Sequence, residues 1–513
     1  SSGRRATRAF QSSRGTIANS PSRSAPDRPV SSPARTVTRS PLDLDQATMQ
    51  RLGHRVTDLV AAHLANIRDE PVISSLPRHK LNRDLLLPAP LDGVGFDALI
   101  ATLEQSVFPY HAREPHPGFL AYVPSCPTFP ALLGDWIATG YNFFAGVWPV
   151  AAGPNEIEMV VLEWIREWMG MPSGSSGLLT SGGSAANMTA VVAARHAALG
   201  RGADINRLVI YTSAQAHSSV VRAAWIAGIR RENIRVVGMD SLFRLRTDEL
   251  MTSVAADREA GMWPFLVVAS AGTTNTGSVD PLHAMADFCE HENLWMHVDA
   301  AYAGFAALTA EGKGMLSGIE RADSLTLDPH KWLFVPFECG CLMVKDPASL
   351  SDAFRIMPEY LKDVEPGEAE INFADRGEQL TRYSRALKIW MSVSYFGTRL
   401  IADEIQRAME RARLLESIVS ASDQFETLCP AQFGVYCFRA APAGVAPEGL
   451  DGLNERINAR VVSEGRYLIS STRLNGQFSL RMCTLGFRTT DDDIRGLFDA
   501  ISRALAGELG AVS

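Results

Sequence analysis

Apolar positions follow two periods along this chain, and the change from one to the other divides it. Met49, Leu52, Val56, Leu59, Val60 and Leu64 recur at helical spacing between Leu42 and about Ile67. That predicts an amphipathic helix that packs on another body rather than folding alone. A stretch broken by Pro71, Pro77, Pro88 and Pro90 leads to a second helix around Phe96 to Val107, then to the turn-rich aromatic run HPGFLAYVPSCPTFP from His116 to Pro130. Leu132 to Phe144 and Val147-Trp148 come next, and a helix is predicted from Asn155 to Met169. From there short apolar runs alternate with helices. The strand-like runs are a short one ending at Thr180, then Leu208 to Thr212, Phe265 to Ala269, Leu294 to Val298, Ser324 to Leu327 and Cys341 to Val344. Helices ending at Gly200 and Ile229, and one begun by Asp280-Pro281, separate the first four. Strand, helix, strand at this spacing implies parallel pairing with right-handed crossovers. We therefore expect an α/β domain with a mostly parallel sheet.

After Asp346 the pattern lapses into an acidic, Pro-containing loop, Pro358 to Glu370, and resumes in a helix that includes RALKIW. The remainder alternates Arg/Glu-rich helix, Asp403 to Ser420, with strands near Val435 to Phe438 and Phe478 to Cys483, the grammar of a smaller α+β domain. The predicted divisions are a tail over 1–44, a helical segment over 45–128, a large domain over 129–392 and a small one over 393–513.

Charge changes the picture at one end. Residues 1–40 carry eight Arg against the single acid Asp27, a local +7, so the rest of the chain stands at −15 against a whole-chain −8. An acidic body argues against nucleic-acid binding. The tail, rich in Ser, Arg and Pro, reads as disordered, with an organelle transit peptide as the alternative. No apolar run reaches the roughly 18 residues of a membrane span, and seven scattered cysteines suit reduced thiols. A soluble, cytoplasmic protein is expected. Cys339 and Cys341 lack a matching Cys/His pair nearby, so no metal site is predicted.

Candidate chemistry gathers at the ends of successive strand-like runs. Ser181-Gly182-Gly183-Ser184 turns from a strand into a helix start, which offers unpaired N–H groups and a positive dipole end to an anion. His217 and Thr274 follow the next two strands, and Asp299 ends the fourth. An Asp at the tip of a buried strand is costly unless paired. Lys331 lies in DPHKW, one of only six lysines in the chain and the only one framed by His and Trp. Desolvation keeps such an amine neutral and nucleophilic, as a Schiff-base lysine requires. Together these groups ask for a ligand with a phosphate, a ring bearing a basic nitrogen, and an aldehyde. Pyridoxal 5'-phosphate has all three: phosphate at Gly183-Ser184, ring under His217, ring nitrogen at Asp299, aldehyde on Lys331.

The motifs HPGFLAY, TSGGSAAN, AHSSV, HVDAAYAG, DPHKW and RALKIW together resemble the group II pyridoxal-phosphate-dependent decarboxylases, of the aromatic-L-amino-acid decarboxylase type, over roughly residues 45–505. The resemblance implies pyridoxal phosphate fold type I, and a homodimer with active sites at the subunit interface, residues 45–128 packing on the partner. It assigns Lys331, Asp299 and His217 the roles above, adds Thr274, Ala301 and His330 to the cofactor site, and places Tyr122, Pro124, Phe144 and Trp148 around an aromatic substrate. The implied reaction releases carbon dioxide from an aromatic L-amino acid through a quinonoid to give the amine. Two departures stand out. Asp328 replaces the Asn of those aromatic decarboxylases, setting a carboxylate toward a phosphate. A gapless count back from Trp390 puts Phe373 where those enzymes carry a proton-donating loop Tyr, and Phe cannot donate. Phe373 therefore raises an aldehyde synthase, in which oxygen intercepts the quinonoid, as the alternative, with Tyr383 or a water held by His217 as substitute acids. An inactive cofactor-binding homologue and an aminotransferase are the other readings.

Overall fold

The computed structural model describes residues 40–356, 367 and 370–510. The tail as far as Arg39, and residues 357–366 and 368–369 of the acidic loop, lie outside them. The chain divides into two units, 1–59 and 60–513. Most of a helix, Gln46–Asn66, belongs to the first, and none of its residues is buried. Everything below concerns the second.

Seven strands form the central sheet: β1 (Ser176–Thr180), β2 (Leu208–Ser213), β3 (Ile234–Val237), β4 (Trp263–Ser270), β5 (Trp295–Asp299), β6 (Ser324–Leu327) and β7 (Gly340–Val344), in the order β1-β7-β6-β5-β4-β2-β3. β2, β6 and β7 are buried along their whole length, as continuous apolar runs covered on both faces should be. Pairings among β3, β2, β4, β5 and β6 are parallel, and β7 runs antiparallel to both β6 and β1. One reversed strand thus leaves β1, β2, β4, β5 and β6 pointing the same way. Their carboxyl ends share one edge of the sheet, where open α/β sheets keep their ligands.

β3 escaped the sequence reading because its four residues, IRVV, carry a charge and only Val237 is fully buried. The helix before β1 starts earlier than expected, at Trp148, with a break at Ala151. The helix carrying RALKIW runs as Ala386–Ser420 across a break at Gly397, whose φ of 76° is left-handed backbone that favours glycine.

A second, four-stranded sheet lies toward the C-terminus: β8 (Phe425–Gln432), β9 (Val435–Ala440), β10 (Ser470–Leu474) and β11 (Gln477–Cys483), in the order β10-β11-β9-β8, antiparallel throughout. Its core takes in Leu120. The HPGFLAY run is laced to it, Leu120 N–H donating to the Leu468 carbonyl at 2.8 Å and Cys483 N–H to the Leu120 carbonyl at 2.8 Å. Tyr122 is thereby carried to the rim of the large sheet's functional edge. No described helix is long and apolar enough to cross a membrane.

Candidate active site

A cleft of about 550 Å³ opens at the shared edge of β1, β2, β4, β5 and β6. Gly183, Ser184, His217, Thr274, Asp299, Ala301, His330 and Lys331 all line it, with Tyr122 at its mouth. Each arrives by the same device, a strand ending in a turn: Ser181-Gly182 after β1, the turn to His217 after β2, Gly272–Thr274 after β4, Asp299 at the tip of β5, and Asp328–Lys331 after β6.

The floor at the β1 turn is backbone. Helix Gly183–Gly200 starts here with no side-chain cap on its free N–H groups, which leaves them for an anion. Gly183 is required by space: a Cβ there would come within 3.1 Å of both the Ala301 Cβ and Asp328 Oδ2.

Asp299 is buried and held by neutral donors. Asn187 Nδ2 donates to its Oδ2 at 2.9 Å and the Ala301 N–H to its Oδ1 at 3.1 Å. Asn187 also donates to Ser219 Oγ at 2.8 Å, and Ser219 Oγ lies 2.7 Å from His217 Nδ1. Behind it His297 Nε2 is 3.0 Å from Asn187 Oδ1, and His297 Nδ1 is 2.8 Å from Ser324 Oγ, itself an acceptor from Trp295 Nε1 at 2.8 Å. An amide oxygen only accepts, so His297 donates from Nε2 and receives the Ser324 hydroxyl at Nδ1. Likewise, with Ser219 accepting from Asn187, its hydroxyl proton goes to His217 Nδ1, leaving the neutral ring's proton on Nε2. Burial pushes the His297 imidazole down to about 4, against the upward pull of the Asp299 charge, so it stays neutral. Asn187 therefore orients the Asp299 carboxylate and, through Ser219, the His217 ring.

The corner after β6 is built differently. Lys331 Nζ lies 3.0 Å from Asp328 Oδ2, and His330 Nε2 lies 3.7 Å from the same oxygen. His330 Nδ1 sits 2.6 Å from the Cys339 carbonyl, so it carries the ring proton there. Burial holds that imidazole below its ordinary value. Asp328 Oδ1 is buried without a partner.

The one arginine among the described residues that line the cleft is Arg481, and it is spent on the protein itself. It donates to the Thr274 carbonyl at 3.0 and 2.6 Å, to the Tyr122 carbonyl at 2.6 Å and to Ser470 Oγ at 3.2 Å. These bonds fix Tyr122, whose backbone is left-handed at φ 50°.

Four predicted positions fall outside. Pro124 is buried beside the cleft without lining it, and Phe144 and Trp148 sit half-buried away from it. Phe373 needs a correction. It does not reach the cleft but lies wholly inside the core, in the turn Phe373–Arg376, its ring 4.9 Å from the Arg382 guanidinium. Arg382 in turn is bound to buried Glu158 at 2.7 Å. The gapless count from Trp390 failed because it crossed a loop. Tyr383 is also committed elsewhere, its hydroxyl donating to the Asp135 carbonyl at 2.8 Å.

Comparison with known proteins shows the family. The profile of the family described as "Pyridoxal-dependent decarboxylase conserved domain" matches residues 79–441. The chain belongs to the pyridoxal-dependent decarboxylase family. Among its relatives, aromatic-L-amino-acid decarboxylase of Bacillus atrophaeus is 36% identical over 470 residues, spanning 91% of this chain and 97% of that protein. Phenylacetaldehyde synthase of Arabidopsis thaliana is 32% identical over 464 residues, 88% of this chain and 94% of that one. A crystal structure of Oryza sativa TDC with PLP and tryptamine superposes with a TM-score of 0.88 at 29% identity, covering 92% of this chain and 100% of that one.

As a member of this decarboxylase family the protein is a carboxy-lyase that uses pyridoxal phosphate. The residues present fit that cofactor: a glycine cradle with free N–H groups for a phosphate, a buried carboxylate for a ring nitrogen, and an amine for an aldehyde. Sequence reasoning missed Asn187 and Arg481. Asn187 had a signal, standing four residues after Gly183 and so on the same helix face. Arg481 had none, since only the docking of β11 against the β4 turn brings it near.

Proposed function

We propose that this enzyme decarboxylates aromatic L-amino acids to the corresponding amines, as a homodimer. The observation that carries the reading is that Lys331, Asp299, His217 and the Gly183 cradle share one cleft, whose only described arginine is already spent on backbone carbonyls. Among the described residues of that cleft no free guanidinium is left to hold a carboxylate, which favours its departure over its retention. When bound, pyridoxal phosphate supplies an aldehyde for the substrate amine and a ring that accepts the electron pair left as carbon dioxide departs. Lys331 supplies the amine that exchanges with the substrate. Asp299, fixed by Asn187, keeps a proton on the ring nitrogen. His217 covers the ring face and presents Nε2–H to the reacting side. Gly183 and Ser184 hold the phosphate through backbone N–H groups, and Tyr122 offers an aromatic wall. Phe144 and Trp148 complete the substrate pocket across the homodimer interface.

The α-carbon must finally receive a proton. The described tyrosine of the loop region, Tyr383, is tied to Asp135, which leaves a water held by His217 as the acid. The aldehyde-synthase reading no longer rests on Phe373; it draws its support from relatives such as phenylacetaldehyde synthase. One experiment separates the two. Purified enzyme is given L-tyrosine, L-tryptophan, L-DOPA and L-phenylalanine in air, and carbon dioxide, amine and peroxide are measured together. Amine equal to carbon dioxide is the expected result; stoichiometric peroxide without amine would sink it.

A further inference from the structure

The two cations of RALKIW, Arg385 and Lys388, do not line the cleft, yet both are bound to a loop that forms part of its wall. That loop, residues 336–338, joins the Lys331 turn to β7 and puts Glu338 on the cleft surface. Lys388 is only 1% exposed. Its ammonium has three hydrogens to place and three acceptors around it: Asp135 Oδ1 at 2.7 Å, the Glu338 carbonyl at 3.3 Å and the Pro336 carbonyl at 3.4 Å. Arg385, also buried, reaches the same loop, its Nη2 donating to Glu338 Oε1 at 2.8 Å. Gly134 makes the meeting possible, because a Cβ there would come within 2.9 Å of the Lys388 Cα and 3.0 Å of the Leu387 carbonyl. Helix Phe129–Tyr141 therefore lies directly on helix Ala386–Ser420, and Asp135, the next residue, falls beside the ammonium. The loop is tied onward as well. Phe337 packs against His330 with ring centres 5.0 Å apart, and Cys339, the residue after Glu338, offers its carbonyl to His330 Nδ1 at 2.6 Å.

A buried ammonium needs a counter-charge, and Asp135 supplies it. An ion pair between two helices does not, however, require the two loop carbonyls. Those bonds commit the remaining hydrogens to the backbone of the cleft wall. We infer that Lys388 is a positioning residue for substrate binding: it clamps residues 336–338 against helix Ala386–Ser420 and so sets the wall that Glu338 presents to the amino acid. Asp135 holds the ammonium, and the ammonium holds the loop. Such a wall is in place before substrate arrives and does not change during the chemistry. Its loss weakens substrate and transition state alike, which raises KM and leaves kcat nearly unchanged. The link to substrate rests on the function proposed above, whereas the clamp rests on the bonds within the folded chain.

Charge pairing and clamping come apart in two variants of the holoenzyme. Asp135→Asn keeps an oxygen for the ammonium and should hold KM within about threefold of the parent. Lys388→Met/Asp135→Asn removes both charges together, so no buried ion is left unpaired, but the two loop carbonyls still lose their donor. A lysine that serves only Asp135 predicts parent behaviour in the double variant. A clamp predicts KM raised by roughly tenfold, with kcat within about threefold, for whichever of L-tyrosine, L-tryptophan, L-DOPA and L-phenylalanine the parent turns over. Amide hydrogen exchange over residues 335–341, measured without substrate, should quicken by at least about tenfold in the double variant. Parent-like KM or parent-like exchange in that protein would overturn the inference. Should the parent turn over no aromatic amino acid, the function proposed above fails, and exchange alone still decides the clamp. Circular dichroism melting shows that each variant is folded. If the methionine variant does not fold, Lys388→Gln/Asp135→Asn, which keeps a donor for one carbonyl only, takes its place under the same criteria.

Discussion

Two buried aspartates stand at neighbouring strand ends of this enzyme, and they are supported in opposite ways. Asp299, at the tip of β5, receives an amide N–H from Asn187 and a backbone N–H from Ala301, and behind Asn187 stand His297, Ser324 and Trp295. All of those groups are neutral amides, hydroxyls or rings, so they fix its orientation without an ion pair. Asp328, just beyond β6, leans on Lys331, the group that holds the cofactor in the function proposed above, and leaves one oxygen bare. One carboxylate is held by neutral donors, the other by a single lysine.

The sharpest way to break this contrast is to neutralise each in turn. Asp299→Asn should lower turnover by roughly a hundredfold to ten-thousandfold, the range for a positioned proton-holding group. Asp328→Asn, assayed near neutral pH, should cost far less and act mainly on cofactor affinity. Steady-state kinetics at saturating cofactor decides it: equal losses in kcat would erase the distinction.

Next comes the support rather than the acid. Asn187→Leu strips Asp299 of its amide donor and leaves His297 Nε2–H only the longer contact with Thr326 Oγ1 at 3.4 Å. Each unmatched buried group costs about 1–3 kcal/mol, so the melting midpoint should fall and cofactor should bind at least about tenfold more weakly. A variant that melts and binds like the parent would show that Ala301 N–H alone suffices.

How much of this was legible beforehand divides along the same line. The strand ends were readable, because buried parallel strands are continuous apolar runs and their carboxyl ends announce themselves as polar residues in turns. Lys331, Asp299, His217 and the Gly-Ser turn were named on that basis, and the fold places them on one edge. Groups that act through another residue were not readable. Asn187 looks like any helix polar residue until β5 and the turn after β2 close over it, and Arg481 arrives from a strand nearly two hundred residues beyond Asp299.

Phe373 shows the opposite failure, a residue over-read. Counting across a loop assigned it to the reacting centre, whereas it packs under Arg382 in the core. Phe373→Tyr should therefore leave the ratio of amine to peroxide unchanged while lowering stability by about 1–3 kcal/mol, the cost of burying a hydroxyl without a partner. Were Phe373→Tyr to shift the product ratio, the proton donor would have to be sought around Phe373 after all.

The smallest effect concerns what keeps the Asp299 side constant. His297 carries a value pushed down to about 4 by burial, below the ordinary 6.5. In the folded protein it binds fewer protons than in the unfolded chain across that window. Its contribution to stability is therefore fully present above about pH 6.5 and is lost as pH falls toward about 4, at a slope of up to about 1.4 kcal/mol per pH unit. His297→Gln can still donate to Asn187 Oδ1 but has no proton to gain. Its stability should fall less steeply than the parent's between those limits in denaturant titrations, whatever the other acids and imidazoles do in common. Parallel curves would mean that His297 titrates alike in both states, and that the line of donors behind Asp299 tolerates a charge in its middle.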